Sequence, residues 1–287
     1  MMDEGRAKGC AAAYMRKQAD HKIIGDWLES PLRQQAFNKF VLTTQMKTDE
    51  HVVKHMAPFF PPDFSKPFLS IPWTEKHKTV AVHIITVSPE TDMIEVNEEE
   101  QKIYNEKSIF LSNLIYFKSE DTCDATLLTE ANVSHHTITR LLQRGKFYEM
   151  SFGRDISVLL QIARDLSQIF KDTTIFKEST LDQSVSYDFL IPYQDGALVA
   201  RTLKATPKVR SQYQGDQWIF SLRTFLGKEM LKPKHHERMA GLEISKNGDV
   251  LLKWLGETRE MRRGMLMGAD FKHVKGWLKA NARLHVL

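Results

Sequence analysis

Thr79 to Val87, TVAVHIITV, is β-branched and almost unbroken, the composition of a strand buried inside a sheet. A chain that carries such a strand must build a sheet around it. Met93 to Val96 is placed to pair with it through the turn Ser88-Pro89-Glu90-Thr91-Asp92. More strand signals come later in the chain. Tyr187 to Tyr193 and Ala197 to Leu203 flank Gln194-Asp195-Gly196, and Gln217 to Phe225 supplies another run. Leu242 to Ser245 and Val250 to Trp254 flank Lys246-Asn247-Gly248-Asp249, whose Asn-Gly pair is among the strongest short-range hairpin signals. This half is expected to form a mostly antiparallel sheet.

Helical periodicity takes up much of the remainder. Ala11 to Glu29 has good helix formers, with Tyr14, Ile23, Ile24, Trp27 and Leu28 as its apolar contacts. Ser30-Pro31 breaks it and starts a second helix to about Phe40. Glu98 to Lys118 carries Ile103, Phe110, Leu111, Leu114 and Phe117 at helical spacings, which predicts a helix. Ser157 to Phe170 is amphipathic, with Val158, Leu159, Ile162, Leu166 and Ile169 on its core side, and Phe271 to Arg283 reads as a basic closing helix. Between His55 and Trp73, five prolines exclude regular structure while four phenylalanines pin the connection onto a domain surface. The expected class is α+β, with a helical N-terminal half and a mostly antiparallel sheet plus terminal helix in the C-terminal half. The expected divisions are 1–57, 58–78, 79–172 and 173–287.

Composition narrows the function. With 42% hydrophobic residues the chain can fill ordinary cores, and no apolar run approaches the ~20 residues that span a bilayer. The N-terminus, MMDEGRAKGCAAAYMRKQADHK, lacks the apolar core of a signal peptide, so a cytoplasmic protein without membrane contact is expected. Cys10 and Cys123 are too few for a disulfide framework or a four-cysteine zinc site. The net charge of +4 is unevenly spread: residues 200–287 hold 18 Lys and Arg against 8 Asp and Glu, and residues 1–199 hold 22 against 28. A basic C-terminal third of this kind can dock on a polyanion while the rest of the chain contacts protein.

Leu127 to Gly145, LLTEANVSHHTITRLLQRG, points most directly to a function. Leu127, Leu128 and Ala131 share one face of a short first helix, Asn132 tolerates the left-handed turn, and Val133 is a buried pivot. Ser134 is a good N-cap for a second helix whose apolar face is Ile138, Leu141 and Leu142. The opposite face carries His135, His136, Thr137, Thr139, Arg140, Gln143 and Arg144, with no acidic side chain. Ala131-Asn132-Val133-Ser134 followed by Thr137-Ile138-Thr139-Arg140 resembles the helix-turn-helix of bacterial DNA-binding proteins, including Lac-type repressors and ParB-type partition proteins. The resemblance implies a non-enzymatic DNA-binding protein of transcriptional control, plasmid partition or replication initiation, with duplex DNA as its partner. It places Ser134, His135, His136, Thr137 and Arg140 near the DNA, and on this reading Arg140, Arg144 and Lys146 are expected to contact phosphate or guanine, with Ser134, His135, His136 and Thr137 at the groove. Palindromic sites would require a homodimer. The plain alternative is two short amphipathic helices with a polar turn between them, as occur in many proteins that do not touch DNA.

Two rival functions remain. An assembly protein of a virus or mobile element could bind single-stranded nucleic acid or RNA, stacking bases on Tyr213, Trp218, Trp254 or Trp277. A metal-dependent, restriction-like nuclease could use Asp188 and Lys204 on neighbouring strands, but Thr202 stands where that chemistry needs a second carboxylate. The adjacent pairs His135-His136 and His235-His236 lack the spacing that puts two imidazoles on one helical face. No catalytic residue, metal ligand or cofactor is therefore assigned.

Overall fold

The run that opens at Thr79 becomes strand β1, which extends well past its apolar part to Val96 (Thr79–Val96). The computed structural model describes residues 2–18, 79–118, 123–147, 152–171, 181–207 except 183, 217–240, 242–244, 250–252 and 279–284, with single positions 20, 26, 30, 31 and 35. The Pro/Phe-rich connection, Tyr213, Trp254 and Trp277 lie outside the described residues, and of the expected helix at Pro31 to Phe40 only Pro31 and Gln35 are described, both helical. Glu98 to Lys118 is strand where helix was expected: β2 covers Gln101–Lys118 and runs antiparallel to β1 along its length. The expected turn at Ser88 to Asp92 is a bulge instead. The register slips by one residue between Ser88 and Thr91, so Met93 to Val96 continues β1 rather than folding back on it.

β3 (Cys123–Ser134) pairs antiparallel with β2, and this overturns the bihelical unit. Its expected first helix is strand, and Asn132 sits opposite Phe110 in the ladder rather than at a turn. Only the second helix forms, as α2 (His135–Arg144), followed by α3 (Phe152–Lys171). The first described helix is α1 (Glu4–Arg16), capped by Asp3, whose carboxylate accepts from the Arg6 amide. Three strands follow: β4 (Tyr187–Tyr193), β5 (Gly196–Pro207) and β6 (Gln217–Leu226). The short helix α4 (Pro233–Met239) precedes β7 (Leu242–Ile244), β8 (Val250–Leu252) and β9 (Arg283–Leu284).

The class is α+β, the sheet dominates the described residues, and a helical N-terminal half with a helix-turn-helix is not shown among them. Seven strands run in the order β1-β2-β3-β6-β5-β4-β9, all antiparallel except β3 with β6. Strands from both sides of residue 172 therefore share one sheet. The expected hairpins are present: β4 meets β5 through Gln194-Asp195, and β7 pairs with β8. Gln194 takes the left-handed conformation at φ 53°, and Gly196 is required because a Cβ there would lie 2.2 Å from the Leu226 carbonyl oxygen.

A further pairing, Thr91↔Pro207 to Ile94↔Lys204, joins β1 to β5 and closes the circuit β1-β2-β3-β6-β5-β1. A ring of five strands has no room for helices inside it. The helices accordingly pack on its outer face. There Ala7, Ala11 and Met15 of α1, Ile138 and Leu141 of α2, and Ile156, Leu160 and Phe170 of α3 bury Ile109, Leu111, Ala131, Val133, Phe220 and Leu222. Tyr14 meets Phe152 edge-on at 4.7 Å, and burial pushes its phenol up to about 12. The inner face holds Met93, Phe110, Leu203, Ala205 and Ile219 as one cluster, together with the fully buried Ser108, Asn132 and Ser221. Among the described residues, no helix is long and apolar enough to cross a membrane.

Candidate nucleic-acid interface

β3 hands over to α2 without an intervening loop, and this corner collects the residues singled out in the sequence. Ser134 is the N-cap, accepting from the Thr137 amide at 3.0 Å, with the two hydroxyls 2.8 Å apart. Thr137 also donates to the Leu222 carbonyl oxygen of β6 at 2.6 Å. Both residues are buried, so their hydroxyls secure α2 to the sheet and do not face a groove. Thr139 is buried too, donating back to the His135 carbonyl oxygen at 2.9 Å. With α1 packed along one side and β6 along another, α2 leaves only the strip of His136, Arg140, Gln143 and Arg144 towards solvent. Ser134 and Thr137, expected at a groove, are therefore buried against the sheet.

Other residues of the segment reach the surface. His136 is exposed, and Arg140 is 24% exposed at its side chain, donating from Nη1 to Gln143 Oε1 at 2.6 Å. Arg140 Nη1 also lies 3.8 Å from Glu4 Oε2 of α1, and its Nε is 3.5 Å from His136 Nε2. Arg144 donates to the Phe225 carbonyl oxygen at 3.1 Å. Lys146 is drawn away to the β4–β5 turn, where Nζ is 3.2 Å from Asp195 Oδ2 and its amide donates to Gln194 Oε1 at 2.7 Å. His135 is half-buried towards α1.

Electrostatics separates the two imidazoles. His136 is held below its ordinary value first by desolvation and then by Arg140, Arg223 and Arg144, with Glu106 opposing. The charges of three guanidinium groups therefore bear on one exposed imidazole, and Arg140 is the one in contact with it. His135 is also lowered, first by burial; a bond to the Lys8 main chain opposes this, and the Lys107 and Lys8 charges add to it.

Sequence reasoning missed Arg223 and the polar chain that orients it. Arg223 donates to Glu106 Oε2 and, at 3.3 Å, to Ser221 Oγ. Ser108 Oγ donates to Glu106 Oε1 at 2.6 Å and accepts from Asn132 Nδ2 at 2.9 Å. Ser108 has one proton and gives it to Glu106, so the Asn132 amide must face it with its nitrogen. Asn132 Oδ1 is left buried without a hydrogen-bond partner. The network fixes the guanidinium of Arg223 at the mouth of the ring, where its side chain is 21% exposed. A signal was present: Arg223 is a lone charge inside the apolar strand QWIFSLRTFL.

The nuclease pair separates. The Asp188 carboxylate takes the Arg201 Nε at 2.7 Å, and Arg201 also reaches the buried Glu95. Lys204 instead lies 5.4 Å above the ring of Trp218, which packs with Phe170 on the helix-covered side. Thr202 is buried, with Oγ1 accepting from the Tyr187 amide at 2.9 Å. No group of three or more metal-ligating side chains occurs among the described residues. No family model, curated protein or solved structure matches the chain.

Proposed function

We propose that this protein binds nucleic acid without chemistry on it, holding the phosphate backbone at the β3–α2 corner through His136, Arg140, Arg144 and Arg223. The observation that carries this reading is the set of partly exposed cations along α2 and β6: Arg140 lies 3.5 Å from the exposed His136 imidazole, Arg144 is held on the Phe225 carbonyl oxygen, and Arg223 stands 21% exposed with Glu106 as its carboxylate. Cations without a base-reading face supply affinity without sequence information. Burial of Thr137 and Thr139 argues against insertion of α2 into a duplex groove, so single-stranded nucleic acid or RNA is the favoured partner over duplex DNA. The closed five-strand circuit supports the same choice, because small Greek-key barrels commonly present oligonucleotide grooves. A homodimer with paired recognition helices is not required.

The test compares single-stranded RNA, single-stranded DNA and duplex DNA of equal length by fluorescence anisotropy across a salt series. We expect the single strands to bind more tightly. A His136→Ala, Arg140→Gln variant should lose affinity for all of them and lower the salt slope by roughly one per phosphate contact removed. Identical slopes for variant and parent, both folded by circular dichroism, would refute this interface.

A further inference from the structure

Far from α2 in strand order, at the β4–β9 edge, a cleft of about 390 Å³ opens between α4 and the chain end. Lys234, His235, Glu237, Arg238, Ala280 and Arg283 line it among the described residues. The segment between Ala280 and Arg283 is anchored to the sheet. Asn281 is buried and clamps β4, accepting from the Leu190 amide at 2.8 Å and donating to the Leu190 carbonyl oxygen at 3.0 Å.

Both arginines are held by main-chain carbonyls. Arg238 donates to the Asn281 oxygen at 3.0 and 2.9 Å and to the Asp188 carbonyl oxygen at 2.8 Å. Arg283 Nη1 donates to the Ala280 and Ala282 oxygens, each at 3.1 Å. Carbonyl oxygens orient a guanidinium without cancelling its charge. The Asp188 carboxylate pairs with Arg201 and offsets Arg238 less than the Arg283 charge opposes it. Arg238 is accordingly lowered by burial first and by the Arg283 charge second, with Asp188 opposing. His235 is lowered by burial and then by Lys234, Lys232, Arg238 and His236. Like charges held this close in a built cleft create a demand for an anion.

We propose that this cleft binds the phosphate of a phosphomonoester, with Arg238 and Arg283 as its paired donors and Lys234 at its rim. Lys234, Arg238 and Arg283 against Glu237 leave a surplus of two positive charges with His235 neutral. A phosphomonoester brings about −1.5 to −2 at pH 7, a closer match than a single carboxylate. The volume lies within the roughly 300–1,000 Å³ of small-ligand clefts, large enough for a phosphate with a sugar or base attached. Such a group is offered equally by a free nucleotide or by the 5′ end of a nucleic-acid strand, and the test separates these sources.

Isothermal titration at low salt uses inorganic phosphate, AMP, and a tetranucleotide with either a 5′-phosphate or a 5′-hydroxyl. The full-length protein is compared with a Lys234→Ala, Arg283→Ala variant, both exposed positions whose loss leaves the Asn281 clamp intact. We expect AMP and the 5′-phosphorylated tetranucleotide to bind, and the variant to weaken both at least tenfold. Affinity for the 5′-hydroxyl strand should be unchanged by the variant. Equal affinity for AMP and the phosphorylated strand identifies a free nucleotide as ligand; a preference for the strand identifies a nucleic-acid terminus. The proposal is overturned if no phosphomonoester binds, or if the variant binds them as the parent does. The outcome is separable from that at α2, because His136→Ala, Arg140→Gln should weaken both tetranucleotides alike while leaving AMP untouched.

Discussion

Ser134 illustrates how one residue can be read correctly for its local role and wrongly for its surroundings. Its N-cap geometry follows from a serine placed before an amphipathic run, a short-range property that the sequence expresses directly. Its burial under β6 depends on residues almost ninety positions away, to which local spacing is blind. The two roles predict different mutants. Ser134→Ala should destabilise the fold by about 1 kcal/mol in urea denaturation, as lost N-caps do, while Ser134→Thr should restore most of it. Affinity for nucleic acid should follow the fraction folded and nothing more. A folded Ser134→Ala protein with selectively weakened binding would return Ser134 to the interface. Asn132 was misread for a related reason. A polar residue between apolar ones suggests a turn, but this one faces the inside of the ring, where Ser108 gives its amide a partner.

Elements were legible where one face of a strand or helix differed from the other. α3 keeps one apolar stripe, and the β4–β5 hairpin has both its strand composition and its turn. β2 has no such contrast. Ile109 and Leu111 face the helices while Phe110 faces the ring interior, so three consecutive apolar residues are all buried and the two-residue alternation disappears. What remained in Ile103, Phe110, Leu114 and Phe117 happened to fit a helical period. The α1–α2 contact gives an element-scale prediction. His135 has its folded value below the ordinary 6.5, chiefly through burial, so the neutral imidazole is the form that the docked helices favour. Between 6.5 and the lower folded value the unfolded chain binds more protons, and stability must fall as pH drops through that window. His136 and His235 are lowered as well and act in the same direction. Thermal melts from pH 7.5 down to pH 5 should therefore show a declining midpoint, with a shallower decline in His135→Gln. A midpoint that rises on acidification would contradict the burial assigned to these imidazoles.

At the scale of the whole molecule, what sequence could not supply was which strands meet. The boundary drawn at 172 follows a real change from helical to strand pattern, yet β3 pairs with β6 and β1 with β5 across it. Parallel pairing of β3 with β6 needs a long crossover, and α2 and α3 lie within it. Closure through β1 and β5 is what converts a sheet with one covered face into a ring with an interior, and it accounts for small polar residues sealed among apolar ones. It also makes a quantitative demand. Phe110 on β2 and Leu203 on β5 are not neighbours in strand order, but they belong to one buried cluster inside the ring. Phe110→Ala should cost about 3–5 kcal/mol and Leu203→Ala about 2–5 kcal/mol, through lost burial and the cavities left behind. Because both cavities would open into the same small interior, the double variant should depart from the sum of the singles by about 0.5–3 kcal/mol. In an open sheet the two positions would be separated by intervening strands, and their effects would add to within about 0.5 kcal/mol. Denaturant unfolding of the four proteins measures this term directly, and additivity would mean that β1 and β5 do not close the ring in solution.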